Sequence, residues 1–326
     1  GIDVEGAATG NTIGGTSAAD RNVVAGNTQM GVLLQHAGTS NNTVAGNYIG
    51  TNAAGSAAVP NGTYGVDIKN SASGNTVGGT TGTAGNVISG NTSSGIAIEG
   101  SAASGNVVLG NYIGLNSAGT AAIANGAYGV YITGAPSNTI GGTTAADRNV
   151  VSGNGTGGMY ILGATATGNI VKGNYIGTNA AGTAAVANNG AGVWVEAAPS
   201  NTIGGTATGA GNVISGNTNH GLYLYSTTSG TQVQGNLIGT NAAGTAAVPN
   251  QVHGITLSAG TTNNIIGGTT SAARNVISGN QIAGVRLATV TTSGNTIAGN
   301  YIGVDINGAA PLGNGTFGLF VDATNT

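Results

Sequence analysis

Apolar residues alternate with polar ones in short runs along the whole chain, and Gly or Asn interrupts every run. The apolar spacing is two, not three or four, so the pattern predicts short β-strands and no helices. The string NTIGGT begins at Asn11, recurs as NTVGGT at Asn75, returns at Asn138 and Asn201, and appears as NIIGGT at Asn264. The steps are 64, 63, 63 and 63 residues. A second string, NYIGTNAAGSAAVPNG from Asn47, recurs with small changes from Asn111, Asn174, Asn236 and Asn300. Periods this regular mark a solenoid. Each repeat divides again into two halves of three strand-like pieces: NTIGG, NVVAGN and GVLLQ, then NTVAGN, YIGTN and YGVDIK.

Three strands per coil is the cross-section of a parallel β-helix. The first strands begin near Asn11, Asn42, Asn75, Asn106, Asn138, Asn169, Asn201, Thr231, Asn264 and Asn295, which makes ten coils. The expected fold is all-β: a single-stranded right-handed parallel β-helix, its hand set by the preference of parallel connections. Residues 1–326 form one domain of five two-coil repeats of about 63 residues each. Alternation places Ile13, Val44, Val77, Val108, Ile140, Val171, Ile203, Val233, Ile266 and Ile297 at one inward level, stacked as an aliphatic column. The third strands supply a second column, including Val66, Ile96, Val130, Val193, Leu222 and Val285.

One Asn precedes each second strand: Asn22, Asn47, Asn86, Asn111, Asn149, Asn174, Asn212, Asn236, Asn275 and Asn300. Asn tolerates the left-handed backbone of a corner, and its amide can bond the Asn above and below, so these positions predict a scaffold ladder. A second ladder is expected five residues later, from Asn27 and Asn52 through Asn280, with Asp305 in the last place. Every coil also carries an insertion. In odd coils it follows the first strand, as TSAAD from Thr16; in even coils it follows the second strand, as AAGSAAVPNG from Ala53. The even insertions each hold one apolar residue: Val59, Ile123, Val186, Val248 or Leu312. They are expected to fold back over the second-strand exterior, which carries Tyr48, Tyr112, Tyr175 and Tyr301.

Composition narrows the function. Charged residues are only 5%, the net charge is −3 and there is no basic patch, which argues against a nucleic-acid partner. No apolar run is long enough to span a bilayer, so no direct membrane insertion is expected. Cysteine is absent, which removes disulfides and thiolate metal sites.

The N-x-I-x-G-N and G-I-x-I strings resemble the repeats of the pectate-lyase-like parallel β-helix superfamily, especially NosD-like and large secreted bacterial repeat proteins. That resemblance covers essentially the whole chain and implies an exported or cell-surface location. It implies no single function, because the fold hosts lyases, hydrolases, epimerases, adhesins and ice-binding proteins.

Candidate chemistry is sparse. Glycoside hydrolysis needs two carboxyls roughly 5 to 9.5 Å apart, whereas most acids here fall on different coils or faces. Asp67, Lys69 and Glu99 share one outward strand face and are the best catalytic candidates, though no catalytic residue is assigned. Asp20–Arg21 and Asp147–Arg148 recur at one corner and predict a structural ion pair. His220 and His253 occupy equivalent positions one coil apart without an evident third metal ligand; they and His36 are expected at the surface. No metal or cofactor is expected. A rank of Thr on the first strands, from Thr12 to Thr296, is broken by Val107, Ile170, Gln232 and Ile265, which weakens an ice-binding reading.

The position where the repeat stops repeating is the central outward residue of the third strand. It reads Asp3, Leu33, Asp67, Ala97, Tyr131, Tyr160, Trp194, Tyr223, Thr256, Arg286 and Phe320. Tyr131, Tyr160, Trp194 and Tyr223, with Tyr225 beside them, form a candidate ligand-binding stripe for sugar rings or a protein partner. The plainer alternative is that the rings stack on one another and stiffen the wall. The function expected from the sequence is therefore a non-catalytic structural or adhesive module, extracellular or at the cell surface. A carbohydrate-binding module is the alternative, with a lyase, hydrolase or epimerase behind it. The expected partners are a polysaccharide or surface glycan, and other copies of the chain through end-to-end self-association. The latter rests on a chain that opens within one third strand, GIDVE, and closes just after another, GLFVD, as an excerpt of a longer array or a filament subunit would. Thr326 stops near the register position preceding Asn11, which would permit such stacking.

Overall fold

A computed structural model describes residues 1–81 and 83–322. The register expectation at Thr326 lies outside the described residues. The chain winds as a right-handed parallel β-helix whose strands fall into three parallel sheets. First strands make a ten-stranded sheet from Thr12–Gly14 to Thr296–Ala298. Second strands make another of ten, from Val23–Val24 to Tyr301–Ile302. Third strands make one of eleven, from Ile2–Val4 to Phe317–Val321.

The interior follows from the period-two pattern. Val44, Val77, Val108, Ile140, Val171, Ile203, Val233 and Ile266 are all 0% exposed, and their registers place each on the one before. Val66, Ile96, Val130, Val193, Leu222 and Val285 line the opposite wall.

Hydrogen bonds run along three corners. From Asn22 to Asn300 each Nδ2 donates to the Oδ1 of the next Asn, at 2.9 to 3.2 Å. A further Asn ladder, unforeseen from the sequence, runs from Asn11 through Asn42, Asn75, Asn106 and Asn138 to Asn169. The remaining ladder differs from expectation in every even coil. Asn27 donates not to Asn52 but to Asn61, and the chain of bonds continues through Asn91, Asn125, Asn154, Asn188, Asn217, Asn250, Asn280 and Asn314. Asn52, Asn116, Asn179, Asn241 and Asp305 instead fold the insertion: the side-chain oxygen of each accepts the backbone N–H four residues on. The physical reason is register. A rung must stand five residues before the inward third-strand residue, and after the insertion only Asn61 and its counterparts do.

The insertions themselves stack every second coil, Ser117 N donating to Gly55 O, Ala180 N to Gly119 O and Ala242 N to Gly182 O. They fold back over the second-strand tyrosines; the expected apolar residues are enclosed unevenly, Val248 at 6% exposed and Val59 at 39%, and another residue comes nearest the rings. The covering group is a glycine. A Cβ on Gly55 would lie 2.9 Å from the Tyr48 ring, and Gly119, Gly182 and Gly308 sit equally close to Tyr112, Tyr175 and Tyr301.

The predicted Asp–Arg ion pairs do not form. Asp20 Oδ2 accepts the Ser17 N–H and hydroxyl, and Asp147 Oδ2 accepts the Thr143 and Thr144 N–H groups, capping single turns of 3₁₀ helix. These bonds hold both carboxyls below the usual range. The arginines turn the other way. Arg21, Arg148 and Arg274 each place a guanidinium 4.0 Å from a ring centroid, of Tyr48, Tyr175 and Tyr301 respectively.

Candidate functional site

The outer face of the third-strand sheet is where chemistry gathers. Its strands pair residue for residue, so the central outward positions stand in one row: Leu33, Asp67, Ala97, Tyr131, Tyr160, Trp194, Tyr223, Thr256, Arg286 and Phe320. Tyr131, Tyr160, Trp194 and Tyr223 follow one another at centroid separations of 5.7, 4.9 and 5.6 Å. Tyr225 lies 5.2 Å from Tyr223 and edge-on to Trp194 at 6.3 Å.

Further rings join them that alternation alone does not place. Tyr128 packs 4.9 Å from Tyr160, and His220 packs 4.9 Å from Tyr223 and 5.4 Å from His253. Each stands two residues before an inward side chain, where strict alternation would turn it into the core. The glycine between is responsible. Gly129 also faces inward, and a Cβ there would lie 2.4 Å from Val151, so the chain bends and returns Tyr128 to the outside. The Gly preceding every third strand was the available signal.

Neither His220 nor His253 is the surface histidine expected. His253 is 4% exposed, its Nδ1 accepting the Ala283 N–H at 3.2 Å. His220 Nδ1 lies 3.2 Å from the Thr256 hydroxyl. Burial, then His253 and Arg286, pushes His220 down to about 4, so the stacked pair is uncharged at neutral pH. His36 is the exposed one, 3.4 Å from Glu5. Among the described residues no three His, Asp or Glu converge.

Polar groups edge the strip. The Tyr160 hydroxyl donates to Glu196 at 2.7 Å, and the Tyr64 hydroxyl donates to Glu99 at 3.3 Å. Burial and the adjacent carboxylate raise both phenols, Tyr64 to about 12. Tyr64, Tyr128, Tyr131 and Tyr160 surround a cavity of about 160 Å³ with Ser93 and Ser94. Lys69 and Glu99 line a neighbouring one of about 340 Å³.

Asp67 points outward, yet its side chain is fully covered, with Lys69 Nζ 2.8 Å away. Burial pushes its carboxyl up to about 6 against the pull of Lys69. The folded chain thus keeps a proton that the unfolded chain releases from 3.8 upward. Stability contributed there is present below the unfolded value and is lost as pH rises through about 6. Asp67→Asn should therefore melt like the parent near pH 4 and exceed it at pH 7.5 by about 2 kcal/mol. Thermal melts at the two pH values check this; an equal offset at both contradicts it.

The fold and this face together define a parallel β-helix with an aromatic strip along one wall. No family model matches the chain, and no curated protein matches its sequence. Among solved structures it is similar to a periplasmic alginate epimerase, at 13% identity over 90% of this chain and 66% of that one, with a TM-score of 0.46. It is similar to the Dettilon tailspike protein at 19% identity over 83% and 55%, TM-score 0.45. A mannuronan C-5 epimerase module of Azotobacter vinelandii gives 13% identity over 94% and 87%, TM-score 0.37. The chain spans just under two thirds of that first epimerase and little more than half of the tailspike. No helix among the described residues is long and apolar enough to cross a membrane.

Proposed function

We propose that this chain is an extracellular or cell-surface β-helix module that binds polysaccharide along the third-strand strip, without altering it. The observation that carries the reading is the continuity of the rings from Tyr128 to Tyr225. The scaffold does not require them, since the same row accepts Leu33, Ala97 and Thr256. Aromatic faces suit the apolar faces of sugar rings, and Glu99, Glu196 and the phenols beside them suit sugar hydroxyls. Coils 4.8 Å apart present the rings to an extended chain rather than to a compact ligand.

Mutual stacking also contributes to the wall, so the test separates the two roles. A Trp194→Ala, Tyr160→Ala double variant loses ring contacts worth about 0.5–1.5 kcal/mol each and should melt a few degrees lower. On a glycan array, binding by the folded variant should fall at least tenfold. Unchanged binding beside a lowered melting temperature would leave the strip a structural feature only. A second reading, a carbohydrate-active enzyme, is favoured by the covered Asp67 beside Lys69, Tyr64 and Glu99. Release of shortened or unsaturated products from a bound polysaccharide, lost in Lys69→Met, would establish it.

A further inference from the structure

On the second-strand face, the three arginine–tyrosine stacks skip one tyrosine. Arg21, Arg148 and Arg274 stand just before Asn22, Asn149 and Asn275 and cover Tyr48, Tyr175 and Tyr301 of the following coil. The same position before Asn86 is Gly85, and the tyrosine it would cover is Tyr112. The remaining equivalent is Gly211, and there the tyrosine is replaced by Leu237. Tyr112 is therefore the one ring in this row without a guanidinium over it. A cavity of about 430 Å³ opens at that place. Arg21 and Arg148 line it together with Tyr48, Tyr112, Asn86 and Ser117.

We infer that this cavity is a binding subsite for an anionic sugar residue, carboxylated or sulfated, separate from the third-strand strip. Its volume lies in the range of small-molecule sites. Neither Arg21 nor Arg148 has a carboxylate partner among the described residues. Asp20 and Asp147, their chain neighbours, are committed to backbone N–H groups of their own turns. Arg21 spends only its Nε, on Gly46 O, and Arg148 Nε is buried with no hydrogen-bond partner at all. Stacking on Tyr48 and Tyr175 fixes both guanidinium planes and leaves the terminal Nη groups to donate in pairs to an anion. Tyr112 offers a ring on which a sugar can lie. Because each Arg has an Asp beside it in sequence, the region carries little net charge. Recognition there is short-range and geometric, so it should survive moderate salt.

Calorimetric titration with trigalacturonate, a sulfated trisaccharide and neutral maltotriose tests the inference. The parent should bind one or both anionic probes at least tenfold more tightly than maltotriose. Tyr112→Leu and, separately, Arg148→Gln should each lower that affinity at least tenfold. Leu already occupies the equivalent position at Leu237, so Tyr112→Leu should fold and melt within a few degrees of the parent. The strip variant Trp194→Ala, Tyr160→Ala should keep the anionic site intact, which makes failure of the strip reading distinguishable from failure here. Equal affinity for neutral and anionic probes, no binding of either anion, or binding indifferent to Tyr112→Leu and Arg148→Gln would overturn the assignment.

Discussion

Val171→Asp is expected to lower the melting temperature by roughly 10 °C. Val171 is 0% exposed and stands between Ile140 and Ile203 in the inward column. No polar side chain of the column can receive a carboxylate, so the Asp must enter protonated or force the coil open. Either route costs several kcal/mol. In a solenoid each coil is stabilised chiefly by its two neighbours, so a failed middle coil also uncouples the halves on either side. The transition should broaden as well as shift. Val171→Ile is the control, because Ile fills the same level at Ile140 and Ile203 and should melt within about 2 °C of the parent. A Val171→Asp protein that melts like the parent would mean that the first strand faces the other way.

The coil plan was legible because one rule, alternation, acts unopposed over most of the chain. It places Val44 through Ile266 inside, and it aligns Tyr131, Tyr160, Trp194 and Tyr223 in adjacent strands. Where a second constraint competes, the same rule fails. Gly129 faces inward beside an inward Val130, and this puts Tyr128 on the outer wall that alternation would deny it. His220 and His253 follow the same bend, so two imidazoles expected at the surface one coil apart prove to be stacked, one half-buried and the other buried.

The Arg–Tyr stacks were hidden for another reason. Arg21 and Tyr48 lie 27 positions apart, in different coils, whereas Asp20 is adjacent and carries the opposite charge. Sequence proximity favours the ion pair, but the short turn before Arg21 uses Asp20 as its cap and leaves the guanidinium free to cross to the next coil. Arg274 makes the same stack with Ala273 in the acidic position, so the stack does not depend on the acid. What the period does expose is the exception at Gly85, where a regular contact is omitted and a cavity remains.

Two asparagines of one coil, nine positions apart, should respond very differently to Ala. Asn125 is 0% exposed, its Oδ1 accepting from the Asn91 N–H at 3.1 Å and the Asn91 amide at 2.9 Å. Its Nδ2 donates to Ile88 O and to Asn154 Oδ1, both at 3.0 Å. Ile88 O retains a bond from Gly114 N, and the Asn91 amide retains Ile49 O. The Asn91 N–H and Asn154 Oδ1 keep nothing, and both residues are only 1% exposed. At about 1–3 kcal/mol for each buried orphan, Asn125→Ala should cost about 4 kcal/mol. Asn116 bonds the Thr120 and Ala121 N–H groups and the Thr120 hydroxyl, all within one exposed surface insertion where water can replace it. Asn116→Ala should cost about 1 kcal/mol, as loss of an exposed turn cap does. Equilibrium denaturation of the two variants decides between the ladder through Asn125 and the ladder through Asn116 that equal spacing from the second strand would imply. A larger loss at Asn116 would mean that the rung lies before the insertion and not after it.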